Sequence, residues 1–144
     1  MFTQVFNTEF EISLRLICLL FCSNKKLSFE KIVYLDFIST YSKDFSLTNS
    51  NIQGNSNFKL SELITRRLIV SNSIKQLVID RYFIPSTQKK TLVYKISKKG
   101  CAFIKNMNDD YIKQLLEIDK IVVEKYDKKS EEQIFQEIYS IVGR

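Results

Sequence analysis

Between Lys59 and Lys98 the hydrophobic positions change period, and that change marks the expected centre of the fold. Leu60, Leu63, Ile64, Leu68, Ile74, Leu77 and Val78 recur at three- and four-residue steps, which gather on one face of an α-helix. Tyr82, Phe83 and Ile84 then run into Pro85, a polar turn Ser86-Thr87-Gln88-Lys89-Lys90 follows, and Thr91–Ile96 alternates as a returning strand. The stretch predicts a long amphipathic helix entering a short basic hairpin. Ser71-Asn72-Ser73 is polar enough to interrupt the helix, and a bent or nearly continuous one is expected.

The flanking patterns read as further helices. From Ile12 to Cys22 apolar residues extend around much of the circumference, predicting the most buried helix, with Thr8 and Glu11 at capping-box spacing ahead of it. Ser28 is placed to cap a second helix carrying Phe29, Ile32, Val33, Leu35, Phe37 and Ile38. Asp36 interrupts that apolar run. If buried it needs a compensating cation, and Arg15 is the economical structural partner; an exposed Asp36 with no special role is the alternative. From Ser42 to Asn57 periodicity dissolves into a long polar loop with Phe45, Leu47 and Ile52 as anchors. Glu62 and Arg66, four apart, read as an exposed pair worth roughly a few tenths of a kcal/mol. After the hairpin Ser97 opens a fourth helix, where Gly100 suits close packing against the strands. Asn108 is expected to cap a fifth helix, and Ser130-Glu131-Glu132 to begin a sixth. The apolar seams of these last helices suit either core packing or protein docking.

Only 3 Gly and 1 Pro in 144 residues favour a mainly α fold with a small β-hairpin and short connections. The expected architecture is a single winged-helix-like domain over residues 1–144, with residues 106–144 forming additional C-terminal helices within it. The net charge of +6 is uneven: residues 60–105 carry 10 basic and 2 acidic groups, whereas residues 106–144 carry 6 basic and 9 acidic. Candidate nucleic-acid contacts are Arg66, Arg67, Lys75, Arg81, Lys89, Lys90, Lys98 and Lys99, with Lys95 nearby. The helix would enter a groove of double-stranded DNA and the hairpin lysines would neutralise phosphates. The plainer reading is a solvated basic face.

Catalytic patterns are missing. There is no His, no phosphate-binding glycine loop and no CxxC pair, and Asp109/Asp110 and Glu131/Glu132 stand at helix starts where the helix dipole accounts for them. The sequence therefore predicts no catalytic residue, no metal site and no cofactor. Cys18, Cys22 and Cys101 read as reduced thiols, which suits the cytoplasm. The Ile12–Cys22 run, broken by Arg15, is too short to span a bilayer, so no membrane association is expected.

The segments FNTEFEISLRLICLL, LSFEKIVYLDFISTYSKDF, SELITRRLIVSNSIKQLV and VYKISKKG have a familiar order. Glu11 with Leu14-Arg15, Leu35-Asp36 before Tyr41 and Asp44-Phe45, Glu62 with Arg66-Arg67 and Leu77, and then Tyr94, Ser97 and Gly100 carry it across roughly residues 6–112. In this order the chain resembles the small middle components of prokaryotic ABC-three component systems, the group that includes the small subunit of Lamassu-type anti-phage and anti-plasmid systems. The resemblance implies a winged-helix-like, non-enzymatic subunit. It would bridge or regulate an SMC/Rad50-like ATPase and a separate effector, commonly a nuclease. The Asn/Ser-rich loop at 48–57 and the strongly basic hairpin depart from the pattern. Two alternatives are a free-standing winged-helix DNA-binding regulator and an antitoxin-like inhibitor of a neighbouring toxin.

Overall fold

The computed structural model describes residues 9–49 and 59–143. Among these residues six helices and three strands follow one another as α1 (Glu9–Cys22), β1 (Leu27–Ser28), α2 (Phe29–Thr40), α3 (Lys59–Ile79), β2 (Phe83–Gln88), β3 (Thr91–Ile96), α4 (Lys98–Lys105), α5 (Asp110–Tyr126) and α6 (Glu131–Val142). The fold is mainly α with a small antiparallel sheet, an arrangement compatible with a winged-helix-like class.

The helix α1 is buried from Leu14 through Leu20 and forms the hub on which α5, α3, α2 and α4 pack. Ser28 caps α2 by accepting from the Lys31 backbone N–H. In line with the expected near-continuous helix, Ser71-Asn72-Ser73 does not break α3, because Val70, Ser73, Ile74 and Leu77 lie on its buried side and packing outweighs the weak local preference of those three residues. The helix ends in a Schellman motif, with Tyr82 N–H bonded to Leu77 O at 2.9 Å and Arg81 N–H to Val78 O at 3.0 Å. Arg81 takes the left-handed conformation there, with φ of 67°.

Strand order in the sheet is β1-β3-β2. The two-residue strand β1, with Leu27 opposite Tyr94 and Ser28 opposite Val93, is an addition to the expected hairpin. The hairpin turn is tighter than expected: Gln88 pairs with Thr91, leaving Lys89 and Lys90 as its two central residues at φ of 52° and 65°. Positive φ at both positions is the type I′ geometry, which Asn-Gly usually fills. Register places Pro85 opposite Tyr94 on the sheet edge. Pairs alternate outward from the hydrogen-bonded Gln88/Thr91 pair, so the proline nitrogen faces the free edge and costs no ladder bond.

Gly100 meets the sheet as expected. A Cβ there would lie 2.6 Å from Ile96 Cγ1 and 2.8 Å from the Tyr82 carbonyl oxygen. Asp109, one residue later than expected, caps α5 by accepting from Tyr111 and Ile112 N–H, and Ser130 with Gln133 forms a capping box on α6. Both helices join the common core, α5 through Ile112, Leu115, Ile118 and Val122 against α1 and α2, and α6 through Ile134 and Ile138. Of the loop anchors, Phe45 is buried and Leu47 packs on the core. Thr8, Ile52 and the stretch 50–58 lie outside the described residues.

Candidate functional site

A buried ionic cluster holds α1, α2 and α3 in phase. Asp36 on α2 accepts from Arg15 Nε of α1 at 3.0 Å and from Arg66 Nη1 of α3 at 2.7 Å, and all three side chains are at most 5% exposed. Arg66 also donates to Thr40 Oγ1 at 2.9 Å and to Glu62 at 2.8 Å, and Tyr41 Oη donates to Glu62. Burial by itself pushes the Asp36 carboxyl up, but the two guanidinium groups prevail and hold it below the ordinary carboxylate range. Beneath this cluster Asp119 of α5 accepts from Ser39 Oγ at 2.6 Å, and its second oxygen has no hydrogen-bond partner among the described residues. Burial pushes Asp119 up to about 8, with the charge of Asp36 adding to the effect. Burial likewise raises Glu11, which accepts from Tyr111 Oη, to about 7. Glu11 is thus a buried acid joining α1 to α5, a role its place in the first helical turn did not suggest.

The bases nominated for nucleic acid stand in different settings, one buried, two engaged by neighbours and the rest exposed. Arg66 is corrected outright: its guanidinium is buried and bound to two carboxylates, so it cannot reach a phosphate, and its pairing with Glu62 is part of the core. Arg67 pairs with both oxygens of Glu30 and lies 5.3 Å from the centre of the Phe29 ring, which largely neutralises it. Lys99 donates to the Asp80 carbonyl at the end of α3 at 2.7 Å and lies over Tyr82. Lys75, Arg81, Lys89, Lys90, Lys95 and Lys98 are exposed. Lys89 lines a polar cleft with Lys26 and Lys31 on the outer face of the hairpin.

The other side of the hairpin is apolar. Between α3 and the strands lies an open groove of about 490 Å³, walled by Ile74, Val78 and Ile79 on α3 and by Pro85, Leu92 and Tyr94 on the hairpin, with Phe29 and Lys75 at its borders. Ile79 and Leu92 are 69% and 51% exposed, and Ile64 and Leu68 farther along α3 are 70% and 69% exposed. The sequence placed Ile64 and Leu68 in the core seam. The buried row consists instead of Leu63, Arg66, Val70, Ser73, Ile74 and Leu77, and a 100° step per residue sets Ile64 and Leu68 outside it. Their angular position was the available signal, masked because steps of three and four fit two adjacent rows.

Cys18 and Cys22 lie where burial disfavours the reactive thiolate. Cys18 is buried and pushed above the ordinary thiol range by desolvation, and desolvation pushes Cys22 up to about 12. Among the described residues no three His, Cys, Asp or Glu side chains gather as metal ligands, and no helix is long and apolar enough to cross a membrane.

The helical core, small sheet and exposed α3–hairpin surface together describe a mainly α protein compatible with the winged-helix-like class. The chain belongs to the family of Middle Component 2 of ABC-three component (ABC-3C) systems, whose profile matches residues 5–144. It is therefore one component of a multi-subunit system. No curated protein and no solved structure matches it.

Proposed function

We propose that this middle component acts without catalysis, as the accessory subunit that bridges an SMC/Rad50-like ATPase and an effector, commonly a nuclease. The setting is a cytoplasmic prokaryotic defence complex of the Lamassu anti-phage and anti-plasmid type. Family membership supplies the multi-subunit context. The carrying observation is the apolar surface of α3 and the hairpin, where Ile64, Leu68, Ile79 and Leu92 stay open to solvent beside a groove. Exposed apolar side chains grouped on one element beside an apolar groove are a feature of protein-binding surfaces. Co-expression with the ATPase and effector encoded beside it, followed by purification through a tag on this chain, tests the reading. Recovery of a stable complex is expected, and a chain that purifies alone in the presence of both neighbours rejects it.

The exposed Lys75, Arg81, Lys89, Lys90 and Lys98 favour a second reading, in which the hairpin adds a duplex DNA contact. Binding would weaken with salt, and replacing Lys89 and Lys90 by Ala would lower the slope of log affinity against log salt by about 2. A slope unchanged by that double substitution rejects phosphate contact through the turn.

A further inference from the structure

The groove beside α3 has the dimensions and chemistry of a helix-binding site. Ile64, Leu68, Ser71, Lys75 and Ile79 follow at steps of four, three, four and four residues and so share one side of α3. The fifteen rises of about 1.5 Å from Ile64 to Ile79 give a wall about 22 Å long, the span of four helical turns. The wall begins on the open surface at Ile64 and Leu68 and deepens into the apolar groove, where Pro85 and Leu92 face it across the gap.

Two features select the occupant. The first is the sheet edge beside the groove, where Pro85 has no N–H to offer an added strand, so docking by strand addition is blocked at that point. The second is charge. Among the described residues that line the groove, the one charged side chain is Lys75, whereas Lys89 belongs to the polar cleft on the other side of the hairpin. A lysine set into an apolar wall favours a partner that brings a carboxylate to that border.

We infer that this groove docks an amphipathic helix of about four turns from a partner subunit, apolar on its buried face and acidic along its flanks. The inference rests on the bridging function proposed above and assigns it a surface. The occupant's apolar side chains lie between Leu92 and Ile79, and its carboxylates meet Lys75.

The test is capture of the purified ATPase and effector components by the full-length tagged chain, comparing wild type with Ile64→Asp, Ile79→Asp, Leu92→Asp and Lys75→Glu, and with Lys113→Glu on the exposed side of α5 as control. Each aspartate substitution is expected to weaken capture of one component at least about tenfold while leaving the melting temperature unchanged, because these side chains are exposed. Lys75→Glu is expected to weaken it severalfold, and Lys113→Glu to leave it unchanged. A photo-crosslinking residue at position 92 should label a helical, acid-flanked segment of that component. A wild-type chain that captures neither component overturns both the bridging function and this site. Capture that persists at full strength in the aspartate variants overturns the site alone. A crosslink to nucleic acid, to a strand or to a second copy of this chain does the same.

Discussion

Arg66 of α3 reaches the Asp36 carboxylate of α2 at 2.7 Å, on the oxygen opposite the one held by Arg15 Nε. Removing the carboxylate would take the shared anion from two buried guanidinium groups, a loss of about 3–5 kcal/mol. Asp36→Ala should therefore lower unfolding free energy by that amount in urea titrations, while Glu132→Ala on the exposed face of α6 should stay within about 0.5 kcal/mol. Equal midpoints for the two variants would contradict a structural role for the cluster. The folded-state pKa of Asp36 is depressed, so its contribution is complete above the ordinary carboxylate pKa and disappears as pH falls through the lower folded value.

Asp119 and Glu11 act in the opposite direction. Their pKa values of about 8 and about 7 mean that the folded state retains protons the unfolded chain has already released. Stability should fall as pH rises from about 4 to about 8. Asp119→Asn removes one of these penalties, so its stability relative to wild type should rise progressively between about pH 4 and about pH 8, with the least effect at and below pH 4, where Asp119 is largely protonated in the folded and unfolded chain alike. Thermal melts across this range check the slope, and a variant that tracks wild type at every pH would contradict the ionisation of Asp119 in the folded core.

Gly100→Ala should destabilise by about 1–3 kcal/mol, because the new methyl meets the Tyr82 carbonyl at 2.8 Å as well as the softer Ile96 side chain. Pairing the substitution with Ile96→Val relieves only the side-chain contact, so partial recovery in a denaturant titration is expected. Full recovery would show that the carbonyl is not the obstacle.

Replacing Lys89-Lys90 by Asn-Gly should stabilise the hairpin, since both lysines occupy left-handed backbone that costs an ordinary side chain roughly 1 kcal/mol. A rise of about 1–2 kcal/mol in unfolding free energy is expected, and unchanged or lower stability would argue against the two-residue turn.

The caps at Ser28, Ser97 and Ser130 and the change from helical to alternating period were legible because each depends on a few neighbouring residues. The two-residue strand β1 was not, since pairing of Leu27 and Ser28 with β3 leaves no periodicity of its own. Arg66 reads as a surface base because Glu62 lies four positions earlier, and only the crossing of α2 and α3 reveals Asp36 beside it. Arg15 and Asp36 were legible as a pair because two opposite charges in two apolar helices have few other ways to be buried. The groove was illegible for a related reason. Its walls come from α3 and the hairpin, and no spacing within either one records the gap between them.

The Asp36 cluster also fixes the azimuth of α3. Advancing or retarding that helix by one residue would swing Arg66 through 100° and away from its anion, so the rod is keyed against rotation. The exposed Ile64, Leu68 and Ile79 therefore ride on a helix whose angular setting is held from inside the protein through α1 and α2.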